Sequence, residues 1–431
     1  MLRVAVWSPL PPSLSGIADY VAEQLPHLAR TFDVVSVGDD PGAARPDADL
    51  DVYHLGNSPA HGYVYRAALA RPGVAVLHDW SLHHLVLAET VERGDVSAYL
   101  REMRRAHGET GTFVGRQVAR ALGGDLFPAL FPLNDRILEA SLAVVGLTRY
   151  VASRAALRLP GRPVLHLPHH LSLPLDPLPS REEARRALGL PPDALLVTAP
   201  GLATASKRID AAAGAVARLL PSHPSLRLVV AGGVDPRLPL ADWARDAGLG
   251  AALVVTGRLD LADFVRHLAA ADVVLALRFP THGEVSGALV RALGVGRPVL
   301  VTAGSPPSEE FPEGIVVPVD PGTHELDELT ALLDRLLRDP SLRDAVGNLA
   351  RDHVRAHHGL GATSDRLAAF LVDVHARKAK LLESLATRRA PEGSLLSYLF
   401  DEVRRAALDL GLSGVPVGFE PLLDDLAPGR P

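Results

Sequence analysis

The feature that most constrains this chain is a recurring series of short, uninterrupted apolar runs rich in β-branched residues. Each is stopped by Gly, Pro or a polar residue. LRVAVWSP, DVVSVGD, DVYHLGN and VAVLHDW open the series, and ASLAVVG resumes it after a mostly helical stretch over residues 88–140. Strands apolar on both faces need helices on both sides, which is the condition of a parallel sheet built from strand–helix–strand crossovers. HLPHHLSLPLDPLPS, His166 to Ser180, then breaks the alternation with prolines and reads as an interdomain linker. Six more runs follow: ALLVTAPG, LRLVVAGG, ALVVTGRL, DVVLALRF, RPVLVTAG and GIVVPVD. The sequence therefore predicts an α/β chain of two Rossmann-like, doubly wound domains, residues 1–172 and 173–362. At 431 residues it exceeds one ordinary core. Thr363 to Leu385 carries Leu367, Phe370, Leu371, Val374, Leu381, Leu382 and Leu385 on one helical face, so residues 363–389 should form a packed helix. The tail, 390–431, contains a further helical stretch and takes no role.

Forty-four Lys and Arg against 50 Asp and Glu leave a formal charge of -6, which gives no general attraction for nucleic acid. The absence of cysteine excludes thiol chemistry and disulfides. No run approaches the roughly 18 apolar residues of a membrane span, and the expectation is a soluble, cytoplasmic protein.

In doubly wound sheets, ligands sit outside the carboxyl ends of the strands, so the loops after each strand are the informative ones. After the first strand, SPLPPSLSGIADY places Gly16 at a helix start, where free N–H groups favour an anion; a glycine chosen only for the turn explains it too. VLHDW brings His78 and Asp79 to the ligand-facing edge, and HLGNSPAH does the same for Asn57 and His61. Taken alone, each histidine reads more readily as one satisfied by loop carbonyls. His83 and His84 lack the spacing of a metal site, so no metal is expected.

In PGLATASKRID, Lys207 and Arg208 follow the strand ending at Gly201 and stand where a helix begins. Cations there oppose the helix dipole and need either solvent or a bound anion. In RFPTHGEVSGALVRALGVGRPVLV, Ser286 caps an apolar-faced helix whose N-terminus suits a phosphate, and Glu284 stands two residues before it.

Together these loops resemble retaining glycosyltransferases of family GT4, with the GT-B fold, over roughly residues 2–375. The most specific stretch is "ADVVL" leading into a loop with a glutamate, a glycine-containing turn and a helix ending in G-x-P-V. Glu284, Gly287, Gly296, Pro298 and Val299 match it. The resemblance implies a nucleotide-sugar donor bound between the domains. Lys207 would neutralise the departing diphosphate, Ser286 and the amides after Gly287 would hold it, and Glu284 would contact the donor sugar. Gly16 would lie under the diphosphate from the opposite domain, and His78 would touch the sugar.

Two positions depart from that pattern. Arg291 occupies the helix position where such enzymes carry a second glutamate on the ribose, and Leu202 replaces an arginine after Gly201, for which Arg208 is the expected compensation. The implied reaction is a metal-independent transfer to an acceptor hydroxyl, with no resident cofactor. The acceptor is a glycan, a lipid-linked or a small molecule. Arg101, Arg104 and Arg105 form a basic helix face, either simply solvated or turned toward a phosphorylated or lipid-linked acceptor, and peripheral membrane contact is compatible with this. A nucleotide-sugar epimerase or phosphorylase on the same fold, and a non-catalytic transferase-like subunit, are the alternatives. Sugar, base, acceptor and oligomeric state are not encoded in these motifs.

Overall fold

The computed structural model describes residues 1–388 except 14, 40–45 and 285. The helical stretch expected in the tail lies outside the described residues. Among the described residues twelve strands form two six-stranded sheets, and every pairing within them is parallel. The first contains β1 (Arg3–Trp7), β2 (Asp33–Val37), β3 (Leu50–Leu55), β4 (Val74–Leu77), β5 (Ala143–Gly146) and β6 (Val164–His166), in the order β2-β1-β3-β4-β5-β6. The second contains β7 (Leu195–Pro200), β8 (Leu226–Ala231), β9 (Leu253–Val255), β10 (Val273–Ala276), β11 (Val299–Thr302) and β12 (Val317–Val319). Its order, β9-β8-β7-β10-β11-β12, is that of a dinucleotide-binding Rossmann sheet. The central strands are buried on both faces: Val74, Ala75, Val76 and Leu77 have no exposed surface. This is why they read as continuous apolar runs rather than alternating ones.

Two expectations need correction. The interdomain segment expected from His166 begins one residue later, because His166 is the last residue of β6, and its His169 and His170 are buried. The single helix expected at 363–385 is two, Leu360–Ala376 and Lys378–Arg388, interrupted at Arg377, whose ψ of 1° leaves the helical region. Leu367, Leu371, Val374, Leu381 and Leu385 from this pair join the core under the first sheet, so the end of the described chain packs back on its beginning. Leu382 is exposed.

Topology fixes where a ligand can sit. In the second sheet the chain runs outward from β7 to β9, then returns to the other side of β7 with β10, leaving a crevice where the carboxyl ends of β7 and β10 diverge. The first domain closes over it. Trp80 and Ser81 donate their backbone N–H groups to His282 O at 2.7 and 2.9 Å, and Thr148 Oγ1 donates to Gly283 O at 3.3 Å. Gly283 has φ +89°, and a Cβ there would lie 2.4 Å from Trp80 Cβ, so only glycine permits this closure. Among the described residues no helix is long and apolar enough to cross a membrane.

Candidate functional site

At the β7–β10 crevice lies a narrow cavity whose polar lining comes from Lys207, Arg278, Thr281, Glu284, Ser286 and Ser305. The Lys207 side chain turns back across the loop and donates to Pro200 O at 2.7 Å. Gly201, at φ +79°, lets it do so: a Cβ there would come within 2.9 Å of Nζ. Burial, and then the nearby charge of Arg278, pull the Lys207 amine down to about 7. Among the described residues no carboxylate pairs with it.

Glu284 is buried. One oxygen accepts from His282 N at 2.6 Å and Thr281 Oγ1 at 3.2 Å, while the other faces Arg278 Nη1 at 2.7 Å as an ion pair without the alignment of a hydrogen bond. Burial alone would raise its carboxyl. The Arg278 charge and the backbone N–H groups of Glu284 and His282 more than reverse that, and it stays ionised below the ordinary value. Arg278, the first charged residue after β10, was not foreseen as a site residue; its position after a strand end was the available signal. Ser286 does hold the N-cap position of the helix Gly287–Gly294, with extended φ/ψ, yet its side chain makes no capping bond. Gly287 opens that helix with its Cα beside His169 and the Arg291 guanidinium.

Arg208 and Arg291 lie elsewhere than expected. Arg208 is in the left-handed region at φ 53° and caps the helix Ile209–Leu219. Its Nε lies 3.2 and 3.1 Å from the two oxygens of Glu325, and its Nη1 is 2.9 Å from Asp210. The anion that a cation at this helix start demands is thus supplied by the protein, and Arg208 is not in the Lys207 cavity. Arg291 is buried and crosses the domain seam, donating to Glu23 Oε1 at 2.8 Å and Ser172 O at 3.1 Å. Glu23 Oε2 also pairs with His170 Nε2 at 2.8 Å. These bonds outweigh the effect of burial and hold the Glu23 carboxyl below its usual value. Glu310 makes a second clasp, accepting from Arg149 N and pairing with His166 Nε2, both at 2.7 Å.

Residues 180–353 match the family model for glycosyl transferases, group 1. Over that stretch the chain is similar to the group 1 glycosyltransferases. A D-inositol 3-phosphate glycosyltransferase of Actinosynnema mirum is 33% identical over 203 residues, which cover 44% of this chain and 47% of that protein. One of the same name from Thermobifida fusca is 25% identical over 348 residues, covering 78% of this chain and 73% of that one. The chain thus spans about half the length of the first of these relatives. Among solved structures, sucrose-phosphate synthase from Thermosynechococcus elongatus superposes with a TM-score of 0.61 at 17% identity, covering 87% of this chain and 100% of that one. Anabaena HepE in complex with UDP and glucose gives 0.58 at 15%, covering 86% and 100%. These likenesses establish the fold as GT-B, two Rossmann-like domains facing a cleft.

The first-domain candidates lie in different surroundings. Asp79 faces the seam: burial, and then the negative charge of Glu284, push its carboxyl up to about 7, while Asn57 N donates to it at 2.7 Å. The Asn57 side chain is occupied locally, its Oδ1 accepting from His84 N and Leu85 N at the start of the helix His83–Glu89. His78 and His61 sit in a buried cluster. His78 Nε2 lies 3.0 Å from His54 Nδ1 and His61 Nδ1 lies 3.0 Å from His54 O, while Tyr20 meets His78 edge-on at 5.0 Å. Burial drives His61 to about 4 and His78 well below the ordinary value. Neither lines the Lys207 cavity. Gly16 opens the helix Gly16–Leu28, and an added Cβ there would meet nothing within 4 Å. Among the described residues no three His, Asp or Glu side chains converge as a cation site.

Proposed function

We propose that this chain transfers a glycosyl group from a nucleoside-diphosphate sugar to an acceptor hydroxyl with retention at the anomeric carbon and without a metal. The observation that carries the reading is Lys207, a buried amine at the sheet's switch point that forms no ion pair with a carboxylate among the described residues, in one cavity with Arg278, Glu284, Ser286 and a helix N-terminus. Such a group favours whichever state brings an anion to it. A diphosphate bound there restores the ammonium, and its growing charge as it leaves is met by Lys207 and Arg278, the kind of preorganised stabilisation that dominates many enzymes.

In the transfer itself, the bond between the anomeric carbon and the phosphate oxygen breaks with its electron pair passing to the diphosphate. The acceptor oxygen bonds to the same face of the carbon, and its proton goes to the departing phosphate. Glu284, ionised and fixed by His282 N, contacts sugar hydroxyls or the positive charge that develops on the ring. Two protein cations take the place a divalent ion holds in other transferases, so turnover should persist in a chelator.

The test is a thermal-shift panel of UDP, GDP, ADP and dTDP with their common sugar conjugates, on wild type and Lys207→Ala. A ligand that binds only the folded state raises its apparent stability. The expected result is stabilisation by one nucleotide family that the variant loses, and no response to any nucleotide would overturn the reading.

A further inference from the structure

Beyond the Lys207 loop lies a second, wider cavity of about 1000 Å³, between residues 118–130 of the first domain and the loops after β7, β8 and β10 of the second. The two cavities share a wall, because Phe279 N donates to Ser206 O at 2.7 Å and so joins the Lys207 loop to the Arg278 loop. Much of the wider cavity is apolar, with Val118, Leu126, Leu130, Leu238, Trp243 and Phe279 on its walls. Leu126, Leu130 and Phe279 are 49%, 61% and 42% exposed, which leaves apolar surface from both domains in water on facing sides of one cleft.

The charges of this cavity are already committed. Arg208 is held by Glu325 and Asp210, and Arg237 is clamped by Asp235 through its Nε and Nη2, at 3.1 and 2.8 Å. Two arginines face three lining aspartates, Asp125, Asp210 and Asp235. His83, His84 and His282, also in the lining, all have lowered values, with burial the leading cause. A phosphate placed here meets no free cation among the lining residues and at least one surplus acid.

We infer that this cavity is the acceptor site and that it takes an uncharged amphipathic acceptor, an alkyl- or aryl-bearing alcohol or glycoside. Its hydroxyl reaches the shared wall, and its apolar part lies against Leu126, Leu130 and Phe279. The inference rests on the transferase reading and departs from the phosphorylated polyol in the names of the relatives. Burying two or three such side chains supplies the affinity that charge does not.

The experiment uses the full chain loaded with the nucleotide that stabilises it. Octyl glucoside below its micelle concentration, p-nitrophenyl glucoside and myo-inositol 3-phosphate are compared by release of nucleoside diphosphate from the sugar conjugate, and by emission of Trp243, one of the chain's 3 tryptophans. The two apolar glucosides should turn over and shift the emission, and the shift should vanish in Trp243→Phe. Leu126→Glu and Leu130→Glu alter exposed side chains. They should raise KM for octyl glucoside at least about tenfold relative to the donor Kd of the same variant, with Leu130→Met restoring it. A lower KM for the inositol phosphate, or a KM for octyl glucoside that neither glutamate moves, overturns the acceptor assignment alone. Failure to bind any nucleotide overturns the transferase reading and this inference together.

Discussion

In the cavity at the β7–β10 switch, Lys207 is buried without an ion pair to any carboxylate among the described residues, whereas in the wider cavity next door Arg208 is held by two carboxylates and Arg237 by one. The loops that carry them are neighbours and the residue types are alike, so cation count does not distinguish the two places. What differs is whether the protein completes the pair itself. A completed pair is scaffold and leaves the wall neutral, free to recognise an apolar group. An incomplete one stores unfavourable electrostatics until an anion arrives. Sites of this kind lower stability where they raise function.

The sharpest way to break the contrast is to remove the incomplete cation. Lys207→Ala should lower kcat by about 10²–10³, the loss typical of one preorganised donor to a developing oxyanion. Steady-state turnover near wild type would mean the cavity does not stabilise the leaving diphosphate. Arg278→Ala should produce a loss in the same direction and also raise the Glu284 carboxyl, adding an acid limb to the pH–rate profile.

The seam offers a completed pair of the opposite kind, buried and shared between domains. Truncating Arg291 leaves Glu23 with only the His170 imidazole as partner, so Arg291→Ala should lower unfolding free energy by about 3 kcal/mol, read from urea denaturation. Glu23→Gln combined with Arg291→Gln should recover part of that loss, because coupled sites are not additive. Strict additivity of the single effects would show that the two residues do not depend on each other.

The depressed amine of Lys207 fixes a pH signature. Its folded value, about 7, lies below the roughly 10.4 of an exposed lysine, so between these the unfolded chain binds the extra proton. Stability of the ligand-free protein should therefore rise with pH from about 7 upward, and Lys207→Met should gain most near pH 6. Donor binding runs the other way: it needs the ammonium, so affinity is flat below about pH 7 and falls by up to about tenfold per unit above it. Calorimetric titration at pH 6.5 and 8 reads this, and an equal slope in Lys207→Ala would assign the proton to another group.

Much of this was legible in the chain because parallel strands buried on both faces leave an unbroken apolar signature, and because site residues sit where such runs stop. All six second-domain runs became strands, and Lys207, Glu284 and Ser286, singled out by their place after strand ends, line one cavity. β6 was not read as a strand because three residues make no pattern. Glu23 lies mid-helix, where a carboxylate reads as a solvated face, and its partner is 268 positions away. No local spacing encodes such a pair. His169 and His170 were hidden for a related reason: prolines beside them signal irregular backbone, not whether that backbone is exposed.

Arg208 supplies the smallest expected effect and the closest control. It follows Lys207 directly, and composition makes the two interchangeable, but the left-handed backbone at Arg208 belongs to a side chain held by Glu325 and Asp210. Arg208→Ala should change donor Kd by less than about threefold while lowering thermal stability, since Glu325 is left buried without its cation. If Arg208→Ala instead weakens the donor as much as Lys207→Ala does, a completed pair can still serve a ligand. The rule that separates the two cavities would then fail at the one position where sequence cannot tell them apart.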